Sequence, residues 1–208
     1  MKKWISLLLC LTLLLSLTAC GTGDSGETTV IATAVPAQTE PTQAESAPED
    51  GVYTVSTPDE FIDAIGSDRT IHVSGGTLDL STARSYGKDT GNDKCAWEEE
   101  YDGYQLVIHD VKNLTITGDG KVATEIATQP RYAQVLYLRS CENVALSGFT
   151  AGHTPEAGSC VGGVVYLEGC TGVSIRDVGL YGCGVIGVHT QNCRDVTVAN
   201  SDIYECSY

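Results

Sequence analysis

Tyr137, Tyr166 and His189 follow one another at intervals of 29 and 23 residues, and Arg139, Glu168 and Gln191 follow them two places on. Residues two apart in extended chain share a face, so the six form an aromatic column beside a polar one. Val107 and His109 extend both columns by one step. Aromatic faces stack on sugar rings while Arg, Glu and Gln bond hydroxyls, which makes these six the candidate glycan-binding residues. The plainer account is side-chain stacking plus an Arg139–Glu168 ion pair, worth under ~1 kcal/mol if exposed.

Cysteines mark the same interval. Cys160, Cys183 and Cys206 are spaced by 23 residues, as are Cys170 and Cys193, and Cys141 precedes Cys170 by 29. Cysteines stacked at a strand spacing of ~4.8 Å lie within disulfide reach, but parallel side chains in register are poorly oriented for the bond's torsion. Bridges such as Cys141–Cys170 or Cys183–Cys206 therefore stand against a ladder of reduced, buried thiols, and the ladder is expected. There is no CxxC pair and a flat ladder fits tetrahedral ligation badly, so neither metal nor other cofactor is expected.

Glycoside hydrolysis needs two carboxylates roughly 5–9.5 Å apart across a sugar bond. Glu168, Asp177, Asp195, Asp202 and Glu205 are available, but Asp177 and Asp195 fall at expected corners, where Asp is common. The stretch 154–159 interrupts the repeat. With His153 before it and Glu156 inside it, this insertion is the second candidate site, because loops leaving a rigid scaffold often carry function. Its plainer account is a tolerated surface loop.

The elements that position these residues repeat. Asn113-Leu-Thr-Ile, Asn143-Val-Ala-Leu, Gly172-Val-Ser-Ile and Asp195-Val-Thr-Val are alternating strands with Leu114/Ile116, Val144/Leu146, Val173/Ile175 and Val196/Val198 inward. Each opens on a residue type that tolerates positive φ, which predicts a tight turn there. A second strand precedes each turn (106–109, 136–139, 165–168, 188–191), and a third, shorter one follows at 179–182 and 202–205. Three short strands in about 23 residues mark a solenoid of stacked coils. Upstream, Thr57-Pro-Asp-Glu60 is a capping box with Pro at the first helical position; Phe61, Ile62 and Ile65 give the helix an apolar face to cover the first coil. Residues 70–73 and 77–80 begin the first rung, and 81–104 reads as an acidic loop.

Over about 104–208 the chain resembles the right-handed parallel β-helix repeat proteins of the pectate-lyase-like superfamily. The resemblance implies an all-β fold, a right-handed parallel β-helix with an N-terminal capping helix. It does not imply one activity, since the superfamily holds lyases, hydrolases, epimerases and adhesins. Its polygalacturonases carry an aspartate cluster that this chain lacks. Its lyases pair a basic residue with calcium-binding acids, yet after residue 121 this chain has no lysine, only Arg131, Arg139, Arg176 and Arg194. The expectation is binding without catalysis in this segment; the alternative is the N-terminal part of a polysaccharide lyase or glycoside hydrolase.

The ends set the context. Lys2 and Lys3 precede an apolar run too short for a stable span, which reads as an export signal over 1–19. Leu17-Thr18-Ala19-Cys20 resembles a bacterial lipobox, implying lipidation of Cys20 with palmitate-type chains, each worth about 0.8 kcal/mol per buried methylene. Residues 21–50 are acidic, lack Lys and Arg, and read as a disordered tether of roughly 30 Å. The β-helix domain is 51–208. Without residues 1–19 the chain has 12 − 2 = 10 basic against 27 acidic residues, a net of −17, which argues against nucleic acid and polyanionic surfaces. The expected setting is a lipid anchor on the extracytoplasmic side of the cell membrane, with a polysaccharide as partner. The chain stops at Tyr208 straight after a strand, so the domain is expected to be the N-terminal part of a longer solenoid.

Overall fold

The structure, a computed structural model, describes residues 51–155, 160–182, 184 and 186–206. The expected signal segment, Cys20 and the tether lie outside the described residues, as do Glu156 and Cys183.

The described chain enters on β1 (Val52–Val55), forms α1 (Pro58–Ala64), and starts the first coil with β2 (Arg69–Val73) and β3 (Gly76–Asp79). After a short 3-10 turn at Leu80–Thr82 come β4 (Cys95–Glu100) and β5 (Gly103–His109); β6 (Lys112–Gly118) and β7 (Thr124–Thr128) complete the second coil. The third is β8 (Leu136–Arg139), β9 (Glu142–Ser147) and β10 (Thr150–His153); the fourth β11 (Val165–Glu168), β12 (Thr171–Arg176) and β13 (Gly179–Tyr181); the fifth β14 (Val188–Gln191), β15 (Arg194–Ala199) and β16 (Asp202–Tyr204).

Corresponding strands pair in parallel across coils to give three sheets. Sheet I runs β4-β5-β8-β11-β14, sheet II β1-β2-β6-β9-β12-β15 and sheet III β3-β7-β10-β13-β16. The chain is an all-β parallel β-helix. Among the described residues one pair is antiparallel, β4–β5, a hairpin where the sequence read an acidic loop over 81–104. The edge strand β1 is a second element the sequence left out. The inward residues of sheet II coils, Leu114/Ile116, Val144/Leu146 and Val173/Ile175, are buried. In the fifth coil Val198 is 43% and Ile203 48% exposed, because no layer stacks on them among the described residues.

The corners explain the spacing. Asn113, Asn143, Gly172 and Asp195 have φ of 54°, 55°, 72° and 54°, as their types predict. A second left-handed column lies three residues earlier, at Asp110, Ser140, Gly169 and Asn192 (φ 53°, 54°, 63° and 55°). Between the two columns the chain turns inward one residue: Val111, Cys141, Cys170, then Cys193. The Cys141 thiol donates to the carbonyls of Arg139 (3.2 Å) and Ile108 (3.6 Å), and Cys170 repeats this one coil on with Glu168 and Leu138 (both 3.4 Å). Cys141 and Cys170 carry no disulfide. The neighbouring Cys170 sulfur and burial hold the Cys141 thiol protonated, above the ordinary thiol range.

At the other end Thr57 caps α1. Its hydroxyl accepts from the Glu60 N–H at 3.3 Å, and the Glu60 carboxylate accepts from the Thr57 N–H at 3.0 Å. The C-terminus is closed by Arg69, whose guanidinium donates to the carbonyls of Asp63, Ala64 and Ile65. Phe61, Ile62 and Ile65 are fully buried against the first coil.

Candidate functional site

Sheet I brings the six candidate residues together in the expected register. Val107, Tyr137, Tyr166 and His189 are direct partners across β5, β8, β11 and β14, and His109, Arg139, Glu168 and Gln191 form the column beside them. Tyr137 and Tyr166 have ring centroids 4.6 Å apart at 39°, and Tyr166 and His189 lie 4.7 Å apart at 25°, close to parallel. These separations follow from strand spacing, which places side chains of one column in ring contact.

The strip is not uniformly exposed, which corrects the sequence expectation. Val107 is buried and Tyr137 is 5% exposed, because the Arg139 guanidinium lies over the Tyr137 ring, 4.7 Å from its centroid. Arg139 is in turn gripped from both sides. It makes a bidentate pair with Glu98 on β4 (2.6 and 3.0 Å), a bond to Glu168 (3.1 Å) and two to the Tyr137 hydroxyl (2.8 and 3.3 Å). The Tyr137 hydroxyl donates to Glu168. Burial and the Glu168 carboxylate push the Tyr137 phenol up to about 12. The Tyr137 and Arg139 bonds hold Glu168 below the ordinary carboxylate range, and the Glu98 and Tyr137 bonds raise the Arg139 pKa further. Arg139 is a cation held in place by two carboxylates.

The open part of the strip is the half made by Tyr166, His189 and Gln191. The Tyr166 hydroxyl donates to Gln191 Oε1 at 2.7 Å, which holds the ring in place. Tyr166 is half-buried, while His189 and Gln191 are exposed.

Of the second candidate site, His153, Thr154 and Pro155 lie among the described residues. His153 ends β10 and is 2% exposed, with Nε2 donating to the Ala133 carbonyl at 2.9 Å. It is a buried side chain at the end of a strand, just before the insertion. Glu156 lies outside the described residues. Sequence reasoning also missed Glu98, although Glu98 and Glu100 alternate along a strand, the signal that places both on one face. It missed the outer face of sheet III as well, where Tyr181 and Tyr204 stack with centroids 5.9 Å apart at 21°.

No family model and no curated protein matches the chain. Among solved structures, a pectate lyase from Paenibacillus sp. 0602 matches with a TM-score of 0.52 and 13% identity, over 72% of this chain and 36% of that one. The chain thus spans about a third of that protein's length, and what the two share is the fold: a parallel β-helix of the pectate-lyase type.

Proposed function

We propose that this is an exported, lipid-anchored β-helix protein whose sheet I face binds a neutral glycan outside the cell. The observation that carries the proposal is the Tyr166–His189 stack with Gln191 beside it, open on a rigid sheet whose neighbouring aromatic is locked by Arg139. The outward edges of the stacked rings and the outer face of the exposed His189 give a sugar an apolar contact, and the adjacent amide and carboxylate supply directed hydrogen bonds. The acidic balance of the chain favours a neutral over a polyanionic glycan. Cys20 supplies the anchor and residues 21–50 the reach.

A glycan array probed with the full chain and with Tyr166→Ala/His189→Ala tests the binding. Signal on neutral polysaccharides that the double variant loses is expected. An array without signal, or one the variant leaves unchanged, would sink the proposal. Metabolic labelling with an alkynyl fatty acid tests the anchor: label on the parent chain and none on Cys20→Ala is expected.

The likeness to a pectate lyase favours a second reading, the N-terminal part of a polysaccharide lyase or glycoside hydrolase. Release of unsaturated or reducing sugar from a polysaccharide by the full chain would support it. Arg139 is a poor base for such a reaction, because Glu98, Tyr137 and Glu168 all stabilise its charged form.

A further inference from the structure

We propose that the outer face of sheet III holds a separate site for a primary alkylammonium group. Two hollows of about 320 and 570 Å³ adjoin there and share Glu125 and Tyr181 in their walls. The register builds them. One outward column reads Asp79, Ala127, Gly152, Tyr181 and Tyr204. Ala127 and Gly152 leave the floor low, and the Tyr181 ring folds back across it. A Cβ on Gly152 would lie 2.6 Å from Cε1 and Cζ of that ring, so only glycine fits beneath it. The Tyr181 hydroxyl thereby reaches Glu125, two coils back, while Thr77 donates to the other Glu125 oxygen at 2.6 Å. Tyr204 stacks behind Tyr181 and extends the aromatic wall.

The chemistry of the smaller hollow is one-sided. Glu125 and Glu205 line it, and neither has a basic partner among the described residues. The neighbouring base, Lys121, is engaged with Asp202 at 2.6 Å. His153 lines the same hollow and is buried. Its Nε2 must carry the proton given to the Ala133 carbonyl, which leaves Nδ1 an acceptor, and Nδ1 has no partner. Two carboxylates and a tyrosine face, with a buried unpartnered imidazole nitrogen in the residue behind them, ask for positive charge. An ammonium has three N–H donors, and a cation beside an aromatic face is attracted by the ring quadrupole. An anion would be repelled, and a neutral hydroxyl would leave the carboxylates uncompensated. The site lies on a different sheet from the glycan strip and stands independently of it.

The test is calorimetric titration of 1,5-diaminopentane into the full chain. Nα-acetyl-lysine amide is run beside it to separate a lysine side chain from a free diamine as the source, and 1,5-pentanediol serves as neutral control. Saturable binding of at least one amine in about the millimolar range, with none for the diol, is expected. Glu205→Gln and Tyr181→Leu should each weaken it by roughly fivefold. Tyr181→Phe, which keeps the ring, should have less effect than Tyr181→Leu, and Tyr166→Ala on sheet I none. Glu205 is exposed, so its variant stays interpretable even if Tyr181→Leu fails to fold. The proposal is overturned if no amine saturates, if the diol binds equally, if a quaternary trimethyl analogue binds as well as the primary amine, or if Glu205→Gln changes nothing.

Discussion

Replacing Arg139 with methionine keeps much of the side chain's apolar length and deletes the guanidinium that ties three strands of sheet I together. Five hydrogen bonds go with it: two to Glu98, one to Glu168 and two to the Tyr137 hydroxyl. The loss also uncovers the Tyr137 ring and leaves Glu98 and Glu168 without their common counter-charge. The side chains of Arg139, Glu98 and Glu168 are 35%, 40% and 34% exposed, so water screens part of the interaction. Breaking a fully buried pair costs roughly 3–5 kcal/mol and an exposed one under about 1. A bidentate fork at intermediate exposure falls between, at about 1–2 kcal/mol. Urea unfolding followed by circular dichroism measures it. The Glu98→Gln/Arg139→Met cycle should show about 0.5–1.5 kcal/mol of coupling, because the second change removes a partner already lost. A cost under ~0.5 kcal/mol, or strictly additive single changes, would refute the view that Arg139 is a clamp rather than a free ligand for sugar.

Ser140 holds φ at 54° without the freedom of glycine, so Ser140→Gly should raise stability by about 0.5–1 kcal/mol in the same assay, the relief of left-handed strain outweighing the added freedom of the unfolded chain. Burial lowers the His153 pKa from 6.5. The unfolded chain therefore binds the proton first, and stability is present above pH 6.5 and lost as pH falls below it; His153→Gln should flatten that part of the profile. Glu168 acts in a lower window, with stability lost as pH drops through the region beneath 4.5, and Glu168→Gln should remove that slope. Cys141 and Cys170 are buried thiols, so maleimide should label them in urea and spare them in the native chain; a Cys141–Cys170 disulfide by mass mapping would contradict the ladder.

The coil was legible because each strand alternates Val, Ile or Leu with polar residues and each corner near Asn113, Asn143, Gly172 and Asp195 carries a type suited to positive φ. The earlier corner column escaped notice because Asp110 and Ser140 look like ordinary polar residues, and only the backbone shows that they turn left-handed. The hairpin escaped because acidic residues from Glu98 to Glu100 hid the strand alternation that puts Trp97 against the core and Glu98 outside. Column membership in sheet I followed from spacing alone. Exposure did not, since Tyr137 is covered by an arginine two residues away whose position depends on Glu98, 41 residues distant in sequence. His153 looked like the lip of an insertion, but its facing is fixed by the Ala133 carbonyl, which no local pattern announces. The small residues at 127 and 152 are meaningful only once register stacks them beneath Tyr181.

The central claim is that a glycan lies along the Tyr166–His189 half of sheet I. Amide-shift mapping of the isotope-labelled chain with a neutral oligosaccharide tests it most directly. Saturable shifts confined to β11 and β14, centred on Tyr166, His189 and Gln191 and abolished by Tyr166→Ala, are the predicted result. Shifts that map to another face, or a spectrum that does not change at saturating sugar, would contradict it.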